Sequence, residues 1–380
     1  MTGKEKMLSR DWRILKFNQC VEQLNTGLNP RSNFSLGHGN LRYITAKNLT
    51  QFGTIDFSKC DSIDEQAKKI IHRRSDIQVG DILFSSRAPI GHCHLINEEP
   101  FDYDIGESIF SMRVKKEIIL PEYLCLYLTS DYFVRMASLN TTGSIIQEIR
   151  IGDLMDTEVI LPSMSVQKQI ADCLKKIDRK IELNSKINDN LAEMAQTTYM
   201  HLFFGKKANG KIGDILIENP KSPIQVGPAK NATGNYPFFT SGDAVLEWPE
   251  PLISGRNIYL NTGGNAGLKF YVGEAAYSTD TWCITARDEL SDYLYLLLES
   301  IKPELSQKFF QGTGLKHLQK PMLKDRAIYI PSDSELCSFN KSVMPWFTMI
   351  SDNIRESQQL TALRDWLLPM LMNGQATIND

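Results

Sequence analysis

Apolar residues recur at alternating steps of four and three through residues 162–205, with no glycine or proline between Ser163 and Phe204. This spacing predicts one long helix whose heptad seam packs on a second helix. At 1.5 Å per residue, about 40 residues would give a helix of roughly 60 Å. The seam is apolar towards both ends and polar in its middle; the alternative is a helix that packs on its own domain. The predicted seam positions are Ile170, Leu174, Ile177, Ile181, Asn184, Asn188, Leu191, Ala195, Thr198 and Leu202.

The second half of the chain repeats this stretch at an offset of 169 residues, because Leu161-Pro162-Ser163 corresponds to Ile330-Pro331-Ser332 and Gly205 to Gly374. Two helices with the same seam and the same polar middle indicate an internal duplication. Pro345 and Pro369 lie inside the second helix and favour kinks there, since each removes a backbone N–H. Its predicted seam is Phe339, Val343, Trp346, Ile350, Asn353, Ser357, Leu360, Arg364, Leu367 and Leu371.

The stretches before the two helices share an order of parts, so we expect two homologous mixed α/β domains. The predicted boundaries are 1–161 and 206–330 for the domains, and 162–205 and 331–374 for the helices. The strand at 42–45 corresponds to 236–240, the strand at 82–85 to 258–260, and the closing strand at 158–161 to 327–331. Helices are predicted at 63–74 and 121–136, and a capping box of Ser332 and Glu335 at the start of the second long helix.

Composition places the chain among ordinary globular proteins. Its 380 residues favour two domains, and 42% hydrophobic with 23% charged residues is typical of a soluble fold. We find no apolar run long enough for a membrane span and no signal-peptide pattern, so we expect a cytoplasmic protein. Seven scattered cysteines without a C-x-x-C pair predict reduced, mostly buried thiols. A net charge of −3 gives neither half the basic character of a non-specific nucleic-acid binder.

Few residues have the spacing of a catalytic or metal site. Phe310–Gly314 matches the F-x-G-x-G of S-adenosylmethionine-dependent methyltransferases, but the first half lacks an equivalent. There is no phosphate-cradling G-x-x-x-x-G-K-[ST] loop. His92 and His94 could converge on one face of a strand, yet no further metal ligand is evident, which favours a structural role.

A tandem repeat of variable domain and long helix resembles the specificity (S) subunit of Type I restriction–modification systems. The resemblance covers essentially the whole chain. One departure is Leu336, which stands where Gln167 stands in the first helix and bears on partner contacts at that end. The residues that carry the resemblance are Leu161-Pro162 with Gln167 and Ile170, Asn184, Thr142-Gly143, Thr313-Gly314 and the strand Gly80–Leu83.

The resemblance implies an α+β fold with two target recognition domains, separated by two long helices that pack as an antiparallel coiled coil. Each domain would read one half of a bipartite double-stranded DNA site, and the helices would set the gap. Methyltransferase (M) subunits, two of them, would dock on the helices and bring S-adenosylmethionine. Restriction (R) subunits would bring ATP-dependent cleavage. This chain would hold no cofactor, bind no metal and catalyse nothing itself.

Loop position and residue type give the candidates for DNA contact, since amides, hydroxyls and cations can bind base edges or phosphates. Two other function classes stay open: a DNA adenine methyltransferase that uses Phe310–Gly314, and a coiled-coil scaffold without a DNA role. The DNA candidates are Lys47, Asn48, Arg73, Arg74, Ser85, Arg87, Thr142, Gln147, Thr240, Arg256, Asn265, Lys269, Thr313 and Lys316.

The pseudo-twofold repeat also predicts how the helices pair. Two domain–helix units related by a twofold across the helices must run in opposite directions. Positions on either side of residue 186 then meet their repeat counterparts in reverse, so that Asn184 faces Ser357 and Asn188 faces Asn353. Polar residues would thus meet polar residues inside an apolar seam, which leaves no amide buried without a partner.

Overall fold

The structure, a computed structural model, describes residues 12–50, 53–130, 133–134, 148–312, 314, 316–372, 374–376 and 378. The chain forms two compact units, Met1–Arg179 with Leu360–Asp380, and Lys180–Gln359. Each unit combines one globular domain with parts of two long helices. The long helices are Met164–Phe203 (the first long helix) and Asp333–Met372 (the second long helix), each of 40 residues.

The remaining elements alternate short strands with short helices in both domains. The strands of the first domain are β1 (Arg13–Lys16), β2 (Val21–Thr26), β3 (Leu41–Ile44), β4 (Asp61–Ile63), β5 (Ile82–Ser85), β6 (Cys93–Leu95), β7 (Tyr103–Ile105), β8 (Ile109–Val114) and β9 (Glu158–Leu161). Its helices are α1 (Phe17–Cys20), α2 (Glu65–Ser75), α3 (Pro121–Thr129) and α4 (Ile151–Met155), with 3-10 turns at Ala46–Asn48 and Phe57–Lys59.

The second domain has the same kinds of element. Its strands are β10 (Gly210–Lys211), β11 (Leu216–Glu218), β12 (Tyr236–Phe239), β13 (Val245–Trp248), β14 (Arg256–Asn261), β15 (Leu268–Val272), β16 (Ala276–Tyr277), β17 (Thr281–Ala286), β18 (Phe310–Gln311), β19 (His317–Leu318) and β20 (Ala327–Ile328). Its shorter helices are Ile212–Ile215, Val226–Ala229, Ser291–Ser300, Lys302–Glu304 and Lys320–Lys324, with a π-helical turn at Leu305–Phe309.

The sheet topology is the same in both domains. Each has a four-stranded antiparallel sheet, of order β2-β8-β5-β6 in the first domain and β11-β17-β14-β15 in the second. Each also has a three-stranded sheet, β4-β3-β7 and β13-β12-β16, in which β3 pairs parallel with β7 and β12 with β16. The duplication therefore extends through the domains, and the predicted α+β fold with matching strands is confirmed.

Alternation along the central strand explains how each domain fills two cores. Ile82 and Phe84 of β5 belong to the core beneath α3 and the first long helix, while Leu83 faces the three-stranded sheet. In the second domain Ile258 takes the place of Ile82 and Tyr259 that of Leu83. Successive side chains point to opposite faces of a strand, so a strand covered on both faces must be apolar throughout.

The two long helices run antiparallel within each unit, as predicted. Residue numbers rise along one helix as they fall along the other, and the polar residues of the seam pair as the twofold argument requires. In one unit Asp178 pairs with Arg364 (3.1 Å); in the other, Asn184 Nδ2 lies 3.2 Å from Ser357 Oγ, and Asn353 Nδ2 donates to Asn188 Oδ1 (2.8 Å). The expectation that no seam amide is buried without a partner is wrong at one atom, since Asn184 Oδ1 has no hydrogen-bond partner among the described residues.

The predicted seam is wrong at Leu202, which is 37% exposed, whereas Phe203 is 3% exposed. Tyr199 and Phe203 pack on Tyr293 of the second domain, with ring centroids 5.5 and 5.2 Å apart. The end of the first long helix thus turns its apolar face to this domain and leaves the heptad register. Pro345 lies inside the second long helix, which continues through it.

The Gln167 side chain forms hydrogen bonds that connect the first domain to the start of the first long helix. This side chain is buried; Oε1 accepts from the Leu120 N–H (2.9 Å), and Nε2 donates to the carbonyls of Ile118 (3.2 Å) and Pro162 (3.0 Å). Leu336, at the same place in the second long helix, is buried against the second domain's apolar core. The Gln-to-Leu difference therefore concerns how each domain joins its helix. Its bearing on partner contacts at this end stays a prediction.

The second long helix begins at the predicted capping box, of which one half is confirmed. The Glu335 carboxylate accepts from the Ser332 N–H (2.8 Å), and the Ser332 hydroxyl also points to this carboxylate (2.7 Å). Lys206 forms an ion pair with Glu335 as well. The hydrogen bond from Lys206, with those from Ser332 and Tyr329, lowers the pKa of Glu335 to about 2.

The pair of Asn188 and Asn353 gives a test of the seam. Replacing both with leucine should raise the free energy of unfolding by about 1 kcal/mol and weaken register, because an amide pair specifies register at a cost in stability. The variant Asn353→Leu alone should lower stability, since it leaves Asn188 without its partner. Thermal unfolding of the wild type, both single variants and the double variant would measure the coupling. Additive effects of the two single variants would contradict a pair at this place.

Candidate nucleic-acid interface

Both domains hold the loop after the central strand with the same hydrogen bonds. Ser86, directly after β5, donates from its N–H (3.0 Å) and hydroxyl (3.1 Å) to the Ser108 carbonyl. Thr262, directly after β14, donates from its N–H (3.2 Å) and hydroxyl (2.7 Å) to the Asp280 carbonyl. We call the surface around these loops the hairpin end of each domain. It consists of residues 45–49, 86–92, 106–108 and 148 in the first domain, and 240–244, 262–267, 278–280 and 316–317 in the second.

Arg87 lies at the hairpin end of the first domain between two carboxylates. Its Nη1 donates to Glu107 Oε1 (2.9 Å), and its Nε lies 3.1 Å from Glu148 Oε1 without the alignment of a hydrogen bond. Asn29 Nδ2 donates to the other oxygen of Glu107 (2.6 Å). The bond from Asn29, followed by that from Arg87, lowers the pKa of Glu107. Burial opposes the charge of Arg87, but Glu107 and Glu148 raise its pKa.

The hairpin end of the second domain is built from backbone and small residues. Gly263 forms a β-bridge with His317, and the Gly264 N–H donates to the Lys316 carbonyl (2.9 Å). Asn261 Nδ2 closes the loop on the Asn265 carbonyl (3.1 Å). The side chains of Asn265, Lys316 and His317 are exposed around this bridge. Two of the predicted candidates, Asn265 and Lys316, thus lie together on one surface.

Lys269 and Thr240 shape the neighbouring turn at 240–244. The Lys269 ammonium donates to the carbonyls of Thr240 (3.1 Å) and Gly242, while the Thr240 hydroxyl donates to the Ala244 carbonyl (2.8 Å). Burial lowers the pKa of Lys269. Both side chains therefore position this turn, and Thr240 is too buried to contact a ligand directly.

Two candidates of the first domain are buried inside it. Asn48 Oδ1 accepts a hydrogen bond from the Thr45 N–H (2.9 Å), so the Asn48 side chain stabilises the 3-10 turn Ala46–Asn48. Ser85 donates to the Pro89 carbonyl and accepts from the His92 N–H (3.0 Å). Both side chains are fully buried, which opposes direct contact with DNA.

Arg256 is at the wrong end of its strand for the predicted role. It pairs across the sheet with Val272, whereas the 263–267 loop follows Asn261 at the other end of β14. All three of its guanidinium nitrogens donate, to Asp292 and to two groups of the second long helix. The prediction that Arg256 flanks this loop as a DNA contact is therefore corrected.

The remaining cations lie on two different surfaces. Lys47 is exposed at the hairpin end of the first domain, with its ammonium 3.5 Å from Asp61. Arg73 and Arg74 are exposed in the last turn of α2. Contact of these three with DNA stays a prediction. Thr142, Gln147 and Thr313 lie outside the described residues.

Sequence reasoning missed Glu107, Glu148 and His317. Glu148 and His317 could have been predicted from the sequence, because their residue numbers differ by 169, the offset of the duplication. Each forms the bridge to the loop after the central strand, Glu148 with Arg87 and His317 with Gly263. Glu107 follows β7, and only the fold brings it to Arg87.

The two histidines considered as metal ligands have backbone hydrogen-bond partners. His92 and His94 each place Nδ1 2.7 Å from a backbone carbonyl, of Leu49 and Gly53 respectively. In the part of the chain that the structure describes, no group of three His, Cys, Asp or Glu is suited to a metal ion. All seven cysteines are free, but only Cys20, Cys93 and Cys283 are buried, so the expectation of mostly buried thiols is wrong.

Phe310 and Gln311 begin the F-x-G-x-G segment as a strand of an antiparallel hairpin with His317-Leu318. A dinucleotide or adenosyl group is ordinarily bound where a parallel strand leads into a helix. This placement disfavours the methyltransferase alternative.

Among the residues described, none of the helices is both long and apolar enough to cross a bilayer.

Comparisons with known proteins agree on one family. A family model described as Type I restriction modification DNA specificity domain matches residues 10–193 and again residues 206–342. The MjaIX Type I restriction enzyme specificity subunit of Methanocaldococcus jannaschii is 24% identical, over 98% of this chain and 95% of its own. The HindI specificity subunit of Haemophilus influenzae is 29% identical over 39% of this chain and 32% of its own.

A solved structure shares the fold. The crystal structure of the Type I restriction–modification S subunit from M. genitalium aligns with a TM-score of 0.63 at 16% identity, and covers 98% of this chain and 99% of its own. The similarity includes both domains and both long helices, since the alignment spans nearly all of each chain.

Proposed function

The chain belongs to the Type I restriction–modification DNA specificity family, and we propose that each of its two domains reads one half of a bipartite DNA site. One observation carries this division of labour. The hairpin ends share their backbone hydrogen bonds but present different groups, the half-buried Arg87, Glu107 and Glu148 in one and the exposed Asn265, Lys316 and His317 in the other. A common frame with different exposed groups is what two readers of different sequences need.

The long helices supply the gap between the half-sites in this proposal. Two readers on one face of B-DNA sit about one helical turn, roughly 34 Å, apart. A helix of 40 residues spans roughly 60 Å and resists bending, so it can fix such a separation. The polar pairs in the seam fix its register, which in turn fixes the length of the gap.

We place the methyltransferase subunits on the outer faces of the long helices. Leu183, Ile187 and Met194 are exposed on the first long helix, and Leu363 and Trp366 on the second. Trp366 is 56% exposed, and large exposed apolar side chains at helical spacing are typical of protein interfaces. Two subunits, which bring S-adenosylmethionine, would use these two surfaces, one on each long helix, and restriction subunits would join this complex.

Methylome sequencing tests the two-reader proposal. A host would carry this chain with its cognate methyltransferase, either as the wild type or as the double variant Asn265→Ala, Lys316→Ala. The backbone carbonyls of both residues keep their hydrogen bonds in the variant, so the loop frame persists. We expect adenine methylation at a split motif, whose second half alone is relaxed in the variant.

A matched control is Lys230→Ala with Asn231→Ala, which changes the same residue types at exposed positions ahead of β12. It should leave both halves of the motif unchanged. Absence of any split motif beside an active methyltransferase would contradict the function, and relaxation of both halves by the loop variant would contradict the division between the domains.

A further inference from the structure

We propose that Arg87 reads a guanine in the first half-site, held ready by Glu107 and Glu148, and that the second domain has no equivalent reader. The inference rests on the proposed function and deepens it, because it assigns a base to one side chain. Four observations support it. They are the fixed backbone of Arg87, its free N–H donors, the net negative charge of the three groups in contact, and the glycine and histidine that replace this constellation in the second domain.

The backbone of Arg87 is fixed on both sides. Ser86 before it is bound to the Ser108 carbonyl, and Arg87 itself forms a β-bridge with Glu148. Because Ser86 follows β5 directly, this loop is anchored to the centre of the four-stranded sheet. The Arg87 side chain is 36% exposed between the two carboxylates, so it is held by them and is still open to a ligand.

The open donors of Arg87 suit a guanine. Arginine has five N–H donors, of which Glu107 takes one on Nη1 while Glu148 faces Nε. Among the described residues no partner occupies Nη2, so Nη1 and Nη2 each keep a donor. Two such donors side by side match the O6 and N7 acceptors of guanine in the major groove. The carboxylates hold the guanidinium plane in advance, so less side-chain freedom is lost on binding.

The flanking charges favour a base over a phosphate. The three groups in contact, one guanidinium and two carboxylates, carry a net charge of −1 when ionised. The hydrogen bond from Asn29, followed by that from Arg87, lowers the pKa of Glu107 and so favours its ionised form. An anionic phosphate would meet this excess negative charge, whereas a base edge is neutral and offers acceptors to the free donors.

Among its described residues, the second domain lacks the constellation at the same place in its fold. Gly263 follows Thr262 as Arg87 follows Ser86, and His317 forms the bridge that Glu148 forms in the first domain. Thr279 precedes Asp280 as Glu107 precedes Ser108. A glycine and a histidine cannot form a guanidinium fork, so the requirement for this guanine belongs to the first half-site alone.

Methylome sequencing with Arg87→Lys and Arg87→Met provides the first test. Lysine keeps the charge but loses the fork. Both variants should relax a single guanine position in the first half of the motif and leave the second half unchanged. Discrimination at this position should fall about 5- to 150-fold, the equivalent of the 1–3 kcal/mol that a bidentate contact provides. An unchanged motif with either variant would overturn the inference while the two-reader function stands.

A second test changes the DNA and keeps the wild-type chain in complex with its methyltransferase, so its main comparison does not require a variant to fold. Duplex DNA that carries 7-deazaguanine at the assigned position lacks the N7 acceptor and should bind several-fold more weakly than the guanine duplex. The same replacement in the second half-site should have no effect through Arg87, and Arg87→Met should abolish the difference at the assigned position. Equal binding of both duplexes by the wild type would overturn the inference.

Arg113→Lys is the matched control. Arg113 also lies between two carboxylates, Asp76 (3.3 Å) and Asp81 (2.8 Å), but near the opposite end of the same sheet. We expect it to lower stability and to leave the motif unchanged. A relaxed motif in this variant would show that loss of packing alone alters recognition, and would overturn the assignment to Arg87. If the wild type gives no split motif at all, the proposed function fails and this inference with it.

Discussion

Replacing Arg256 with methionine is expected to lower the free energy of unfolding by about 3–5 kcal/mol, because it leaves a buried carboxylate without its counter-charge. The Asp292 side chain is 0% exposed and that of Arg256 18%. Arg256 Nε donates to Asp292 Oδ2 (2.6 Å) and Nη2 to Oδ1 (2.5 Å), in the bidentate geometry of strong ion pairs.

The loss extends to the second long helix. Arg256 Nη2 also donates to the Met344 carbonyl (3.1 Å), and Nη1 to the Thr348 hydroxyl (3.1 Å). The arginine therefore ties the start of β14, a central strand of the four-stranded sheet, to this helix near Pro345. A methionine of similar length keeps much of the packing of the side chain but provides none of these hydrogen bonds.

The destabilisation should depend on pH. Burial raises the pKa of Asp292 above its ordinary value, and Arg256 pulls it back. Without the arginine the folded-state pKa rises further above the unfolded one. The penalty is then absent below the unfolded pKa, near 4, and complete once the pH exceeds the folded pKa. Urea unfolding followed by tryptophan fluorescence should show the variant closest to the wild type near pH 4 and furthest from it at neutral pH.

Arg287→Met is the control, since Arg287 forms an exposed ion pair with Asp288 (3.6 Å) in the same domain. Exposed pairs of this kind contribute at most about 1 kcal/mol. If Arg256→Met lowered the free energy of unfolding no more than this control, or if the loss did not change with pH, the Arg256–Asp292 pair would not be a stabilising buried ion pair.

The duplication and the helical seam could be predicted because both are written as periodic patterns. An offset of 169 residues located the second helix, and the same register predicted that Asn188 meets Asn353. Tertiary packing decided the exceptions. Leu202 continues the heptad in the sequence, yet Phe203 is the buried residue because the helix end packs on Tyr293. No local pattern states which neighbour a helix face will meet.

The candidate interface was less predictable, since residue type indicates polarity but not burial. Asn48 and Ser85 have the polar character of surface residues, but their hydrogen bonds lie inside the first domain. Arg256 is close in sequence to the 263–267 loop, although the six residues of β14 separate the two by roughly 20 Å. Arg87 was a candidate by loop position, and only the fold shows Glu107 beside it.

Inserting one heptad into both long helices is expected to lengthen the unread gap of the DNA site by about 3 base pairs. Seven residues add about 10 Å of helix, and B-DNA rises 3.4 Å per base pair. Duplicates of residues 175–181, placed after Ile181, and of 360–366, placed before Leu360, keep the seam in phase. Asp178 and Arg364 lie on one side of the two insertions, and Asn184 and Ser357 on the other, so both contacts persist.

The readout is the methylome of a host that carries the lengthened chain with its methyltransferase. Three base pairs also rotate the second half-site by about 100° around the DNA axis, so we expect weaker methylation at the new spacing. A heptad in the first long helix alone is the control, since it displaces every seam pair beyond the insertion and should abolish methylation. If the doubly lengthened chain methylated the original spacing at full rate, the helices would not set the gap, and the separation of the half-sites would have to come from the partner subunits.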